Sequence, residues 1–437
     1  MTRDELKNRV IASIDSRKDE LIATGNDIFA HPELGYKEFR TSQIVQDVFG
    51  KLGLSFESGL AVTGVKAKLA GRQSLANVCV MGELDSVLCP GHPQADPQTG
   101  AAHSCGHNAQ IAMLLGVAYG LVESGVMSEL DGDVSLVAVP AEEYVEIEYR
   151  NKIRNEGKIK FLGGKQEMIT AGALDDVDMA MMIHLGITRD GKKVTLGGSN
   201  NGFIGKFIKY TGKEAHAGGA PHDGINALNA AMLGIFGIHA QRETFKDSDT
   251  IRVHPIITKG GNLVNVIPCD VRAETYVRGK TMDAVMDASK KVDRALKAGA
   301  MAVGAEVEIQ TLPGYLPRTS DVAMDELFRG NVSRFLTSDE IKVSNEHSTG
   351  STDMGDISAI MPAIHPHIGG AEGIGHSENY QITDPELAYI TGAKAMALTV
   401  IDLLHDGAAR TLEIKRSFKP LYTKESYLKM WEDLLRG

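Results

Sequence analysis

Val134-Ser135-Leu136-Val137-Ala138-Val139-Pro140-Ala141-Glu142-Glu143 is the stretch on which the fold of this chain turns. A short, almost continuously apolar run that ends in a proline and two adjacent carboxylates reads as a strand buried on both faces, with a polar loop at its carboxyl end. Similar runs at 62–69 and 78–82 precede it, a helical stretch at 111–124 lies between, and 178–183 follows as another strand. Buried strands alternating with helices predict an α/β fold with a mixed, mostly parallel sheet sandwiched by helices.

Upstream, residues 3–55 read as a helix, a turn at His31-Pro32 and a second helix from about Thr41. Downstream the character changes. Strands are expected at 203–211, 250–258, 266–277 and 306–312, and helices at 226–243 and 282–304. The order β-α-β-β-α-β is that of a ferredoxin-like unit. After Pro313 and Pro317 the α/β pattern resumes, ending in a helix at 384–405 and a charged tail. A chain of 437 residues exceeds what one hydrophobic core usually fills. The expected organisation is a catalytic metal-binding domain from 1–200 and 314–437, interrupted by a lid or dimerisation domain at 201–313.

The net charge of −11, from 57 acidic and 46 basic residues, argues against nucleic acid or an anionic membrane as partner. No apolar run approaches the ~20 residues of a membrane span. The N-terminus enters an amphipathic helix without the apolar core of a secretory signal. The four cysteines show no framework spacing, so a reducing, cytoplasmic setting is expected. Phosphate-loop and serine-elbow motifs are absent.

Polar clusters stand at the ends of the expected strands, where α/β sheets place ligands. In His103-Ser104-Cys105-Gly106-His107-Asn108, Cys105 and His107 flank a glycine and can face one centre from a tight turn. A thiol and an imidazole suit zinc, with manganese, cobalt or nickel as alternatives. Alone, the tripeptide reads as a buried, inert cysteine. Glu142 and Glu143 follow their strand, and adjacent carboxylates in extended chain point to opposite sides. One can hold a metal while the other takes a proton from water whose pKa the metal lowers to about 7. His184 ends an apolar strand and His376 lies in the glycine-rich 373–378 loop. Singly each is an ordinary core or loop histidine. Together in one α/β domain they make a metal site.

These motifs resemble the M20 metallopeptidases and amidohydrolases, nearest the aminoacylase and aminobenzoyl-glutamate hydrolase branch. His31-Pro32-Glu33-Leu34-Gly35, Gly82-Glu83-Leu84-Asp85, the Cys-Gly-His and Glu-Glu clusters, Ala215-His216-Ala217, Gly260-Gly261-Asn262 and Asn265-Val266-Ile267-Pro268 come in that family's order. The resemblance implies one or two divalent metals on Cys105, His107, Glu143, His184 and His376, with Glu142 as base and proton shuttle. It places Asp85 behind the metals and His216 at the scissile carbonyl, often reached from a dimer partner. Asn265 and Arg278 fall where the inserted domain meets substrate; an arginine there can clamp a carboxylate, or be a solvated strand-end charge. Asn108 stands where the branch commonly has aspartate. Segments 88–100 and 144–158 read as insertions that bear on the substrate, with His92 an exposed loop histidine or an extra pocket residue.

The expected activity is hydrolysis of a C–N bond in a small carboxylate-bearing substrate, such as an acyl amino acid or an aminobenzoyl amide. One alternative is replacement of a ring amine by hydroxyl, as in 5-nitroanthranilate aminohydrolase. Another is a non-catalytic M20-like protein that binds a small metabolite, and a third a closed structural zinc site, which leaves Glu142 without a task. A homodimer through the inserted domain is expected.

Overall fold

Asp133–Val139 is buried at every residue and lies inside a six-stranded sheet. The computed structural model, which describes residues 1–436, gives the order Phe56–Leu60, Gly64–Leu69, Asp133–Val139, Asn77–Glu83, Met179–Met181, Ala363–Ile364. The first two pairings are antiparallel and the other three parallel, which is the mixed, mostly parallel arrangement the apolar runs predict. Glu83 pairs with Val139, so the two central strands end side by side. The acidic segments that follow them therefore leave the sheet at the same edge.

Two long helices belong to this core. His107–Glu123 is buried along nearly its whole length, which explains why its sequence is apolar on all faces. The helix that begins at Glu386 and runs to Ser417 is long and apolar enough to suit a bilayer by composition, yet 94% of its most apolar stretch is buried within the protein. It extends well past the expected end at 405 because the chain kinks at 405–408 and turns helical again. The tail beyond it forms the helix Lys424–Arg436.

The strand expected at 178–183 is divided. Met179–Met181 belongs to the large sheet, and the chain then enters a smaller sheet as His184–Ile187. There it runs parallel to His367–Glu372, with His367 directly opposite His184.

Two compact units result. One comprises Met1–Gly198, Thr319–Glu346 and Asp356–Lys424; the other contains Ser199–Arg318, His347–Gly355 and the segment from Glu425. The second unit holds an antiparallel sheet in the order Arg252–Val253, Asp270–Gly279, Gly202–Thr211, Glu306–Pro313. Its helices are Ala227–Ala240 and Met282–Val303. Asn226 caps the first of these by accepting from the N–H of Leu228 at 2.9 Å. This is the ferredoxin-like order, with one departure. The strand expected at 250–258 is broken, and Ile256–Lys259 pairs separately with Asp270–Gly279. The break falls at His254-Pro255, where proline has no N–H to give a ladder.

Candidate metal centre

Cys105 and His107 reach one centre because Gly106 between them takes φ 87°, a left-handed conformation that favours glycine. A Cβ at Gly106 would also come within 2.6 Å of the Tyr380 hydroxyl. His107 opens its helix, four residues before the expected start at 111. Its Nδ1–H donates to the Asp85 carbonyl at 2.9 Å and lies 3.2 Å from the Asp85 carboxylate, which leaves Nε2 turned to the centre. His184 is oriented the same way: Nδ1–H donates to the Leu185 carbonyl at 2.8 Å, and Nε2 lies 3.4 Å from Cys105 Sγ.

His376 arrives from the glycine-rich loop with φ 62°, an uncommon conformation for histidine. Its N–H donates to the Ser104 carbonyl at 2.8 Å and ties that loop to the cysteine turn. Its Nε2 lies 3.3 Å from Cys105 Sγ and 3.0 Å from Glu143 Oε1. Three donor groups result, Cys105–His107–His184, Cys105–Glu143–His376 and Glu83–His107–Glu142, with the atoms of each within 4.8 Å of one another. Cys105 belongs to the first two. A thiol, imidazoles and a carboxylate in such clusters are the donor chemistry of zinc and its first-row neighbours.

Electrostatics point the same way. Burial and the Glu143 carboxylate oppose ionisation of Cys105, but the His184 and His107 rings bring its thiol down to about 6. Burial likewise opposes charge on Glu143, and His376 beside it brings that carboxyl to about 2. The Glu143 carboxylate in turn holds His376 up at about 11. Without a metal the cluster is a set of anions balanced by protons on imidazoles. A divalent cation can displace those protons.

The neighbouring carboxylates diverge as alternation requires. Glu143 turns to Cys105 and His376, and its N–H donates to Asp85 Oδ2 at 2.9 Å. Glu142 groups instead with His107 and Glu83, its Oε2 3.9 Å from His107 Nε2. Asp85 thus braces both His107 and Glu143 from behind the centre. Ala141, just before the pair, holds φ 54°. Its N–H donates to Glu38 Oε1 at 2.7 Å, and its carbonyl accepts from the Arg150 guanidinium at 3.4 Å. Burial and then Asp85 push the Glu38 carboxyl up to about 7.

The insertion at 144–158 carries the helix Ile147–Asn155, which delivers fully buried Arg150 to this peptide and to the Leu162 carbonyl at 2.8 Å. Arg150→Met is therefore expected to let the 141–142 peptide relax and to lower kcat by about 10- to 100-fold, with metal content intact. Steady-state kinetics beside elemental analysis checks this; an unchanged kcat would show that the strained peptide holds itself.

His92 is not an exposed loop histidine. It is buried, with Nε2 2.8 Å from the Tyr380 carbonyl, and so pins the insertion at 88–100 to the loop that carries His376. Strand-end logic missed Glu83 and the pair His365 and His367. Glu83 hid as the last residue of an apolar strand, although the Glu-Leu-Asp pattern was in view. His365 and His367 flank a proline just after Ala363–Ile364, and both rings lie within 5.7 Å of the His184 ring, centroid to centroid.

In the second unit, His216 and Asn265 are brought together, with Asn265 Nδ2 3.4 Å from His216 Nε2. His216 Nδ1 accepts from the Gly219 N–H at 2.8 Å. Arg278 lies near the end of Asp270–Gly279 with its guanidinium 5.3 Å from the Phe203 and Tyr276 ring centroids.

Comparison with known proteins agrees with this architecture. The sequence pattern of Peptidase family M20/M25/M40 matches residues 79–402. The Xaa-Arg dipeptidase of Mus musculus is 27% identical over 440 residues, covering 97% of this chain and 94% of that protein. The N-acyl-L-amino acid amidohydrolase of Geobacillus stearothermophilus is 27% identical, covering 72% of this chain and 81% of that protein. Among solved structures, the aminobenzoyl-glutamate utilization protein of Klebsiella pneumoniae has the same fold, with a TM-score of 0.68 at 19% identity over 90% of this chain and 98% of that one. A dinuclear metal-binding M20 peptidase of Bacillus subtilis aligns with a TM-score of 0.63 at 21% identity over 89% of this chain and 99% of that one. The family match begins in the strand that leads to Asp85 and runs beyond His376, so the chain belongs to peptidase family M20/M25/M40 and is a hydrolase of C–N bonds.

Proposed function

We propose that the protein hydrolyses the C–N bond of a small carboxylate-bearing substrate, an acyl amino acid or an aminobenzoyl-type amide, with Glu142 as general base. The observation that carries this is the divergence of the two adjacent carboxylates: Glu143 lies against Cys105 and His376, while Glu142 lies with His107, its Oε2 3.9 Å from His107 Nε2. Cys105, His107, Glu143, His184 and His376 would hold the cation. A divalent ion there, manganese or zinc with cobalt or nickel as alternatives, supplies the Lewis acidity that makes water a nucleophile at neutral pH.

Glu142 accepts the proton of the attacking water and passes it to the leaving nitrogen, so that an amine and not an amide anion departs. His216 is the donor for the developing oxyanion. Asn265 beside it helps to orient the substrate, and Arg278 clamps the carboxylate. A dipeptide and an N-acyl amino acid, the substrates named for the two relatives, share an amide one carbon from a carboxylate.

A hydrolysis screen with added metal, across acyl amino acids, dipeptides, aminobenzoyl amides and substituted anilines, tests the reading. Turnover of an amide with release of its amine is expected. Turnover confined to anilines, with the ring amine replaced by hydroxyl, would replace it with the aminohydrolase reading. Metal binding without any turnover would favour a small-molecule binding protein.

A homodimer through the inserted unit is part of the proposal. Phe236 and Met232 are 74% and 56% exposed on Ala227–Ala240, and Ile256 is 60% exposed on the short strand Ile256–Lys259. Apolar side chains so placed suit a self-complementary contact. Light scattering is expected to show a dimer that Phe236→Glu shifts to monomer. A monomeric wild-type protein at assay concentration would count against it.

A further inference from the structure

Three consecutive peptide units of Pro140-Ala141-Glu142-Glu143 are anchored to other parts of the first unit. The Ala141 N–H donates to Glu38 Oε1 at 2.7 Å, and the Glu143 N–H donates to Asp85 Oδ2 at 2.9 Å. The peptide between them is held through its oxygen, since the Ala141 carbonyl accepts from the Gly164 N–H at 3.2 Å. Glu142 therefore sits between two backbone N–H groups, each bound to a side-chain carboxylate from a separate segment.

Glu38 is itself fixed at both oxygens. It is fully buried at the start of the helix Phe39–Lys51, where its carbonyl accepts from the Ser42 N–H at 2.9 Å. Oε2 accepts from Thr63 Oγ1 at 2.7 Å, and the Thr63 carbonyl accepts from Ser42 Oγ at 2.6 Å. Among the described residues no lysine, arginine or histidine pairs with Glu38, so a salt bridge does not account for its burial. Burying a carboxyl is costly unless its hydrogen bonds are made, and the bonds this one makes are to a hydroxyl and to the Ala141 peptide. The conformation it holds there is one that alanine rarely adopts: Ala141 has φ 54°, and this left-handed turn sets the direction in which the two glutamates leave their strand.

We propose that Glu38 is a positioning residue for the general base. By holding the Ala141 N–H it keeps the left-handed turn and so aims the Glu142 carboxylate at its place beside His107, while Asp85 holds the peptide on the far side. The proposal rests on the reading of Glu142 as base. Glu38 acts on the N–H of residue 141, whereas Arg150 acts on the carbonyl of the same residue at 3.4 Å.

The test uses the full-length protein with added zinc and an N-acyl amino acid as substrate. Glu38→Leu removes the acceptor; Glu38→Gln keeps an oxygen for the Ala141 N–H and turns an amide to the Thr63 hydroxyl. Glu38→Leu is expected to lower kcat by about 10- to 100-fold with KM within about two-fold, and Glu38→Gln to stay within about three-fold of wild type. On top of Glu142→Gln, Glu38→Leu should cost less than about three-fold, because a base that is absent cannot be misaimed. Amide hydrogen exchange of the peptide spanning 139–144, read by mass spectrometry, needs no substrate and should rise at least about 10-fold in Glu38→Leu and not in Glu38→Gln. If Glu38→Leu does not fold, Thr63→Val frees one carboxylate oxygen and is expected to give the same pattern at smaller amplitude. Unchanged kcat and exchange in the folded variants, or a full loss on top of Glu142→Gln, would overturn the proposal and leave the base reading standing. Wild-type turnover in Glu142→Gln alone would overturn the base reading and the proposal with it.

Discussion

Glu142→Gln is expected to lower kcat by about 10²- to 10⁴-fold on any substrate the enzyme turns over, with both metals retained. Glutamine has almost the same shape and keeps an oxygen at the site, but it cannot take a proton from water or hand one to a leaving amine. Glu142 belongs to neither cysteine-containing donor group, so metal content should not change. KM should move little, because the carboxylate acts on the attacking water and not on the bound substrate. Steady-state kinetics and elemental analysis of one preparation separate the two possibilities. Turnover within a few fold of wild type would remove Glu142 from the chemistry, and loss of metal would make it a ligand.

Cys105→Ala should be the most damaging ligand change. Cys105 is common to two donor groups, whereas His184 and His376 each serve one. Its sulfur lies 3.4 Å from His184 Nε2 and 3.3 Å from His376 Nε2, so its loss opens both positions at once. We expect affinity to fall by at least about 100-fold at both, where His376→Ala weakens only one. Cobalt loading followed by absorption spectroscopy gives a readout independent of turnover, since thiolate-to-cobalt charge transfer needs this sulfur. If Cys105→Ala bound two ions with wild-type affinity, the shared-sulfur arrangement would be wrong.

How much of this could be read from sequence depends on where each residue stands relative to a strand. Glu142 and Glu143 follow a strand directly, so an apolar run that stops at a polar residue exposes them, whereas Cys105 is exposed by the Cys-Gly-His turn at the entrance to its helix. His184 was visible for the same reason, although the chain changes sheets between Met181 and His184. Glu83 was obscured because every residue of its strand is buried, and an acid closing such a run looks like the beginning of a loop. Its buried charge is balanced by Lys165, which comes 82 residues later from the helix Gly164–Thr170, and no local pattern joins the two. His92 was misjudged because a proline- and glycine-rich segment suggests exposure, whereas its partner is a carbonyl 288 residues away. In the inserted unit the alternation of polar and apolar residues gave the order of elements. Pro255 decided where one strand would break.

The parallel ladder between His184–Ile187 and His367–Glu372 also bears on how the protein is made. Its two halves lie on either side of the inserted unit in sequence, so the ribosome must complete that unit before the second half emerges. At the 5–20 residues per second of translation, Cys105 and His107 wait roughly ten seconds or more for His376. During that interval the nascent chain has a partial donor set that can grip an ion only weakly and in the wrong company. Secure loading of a metal at this centre would therefore be timed by chain completion, with the late strand as a clasp on candidate ligands synthesised long before.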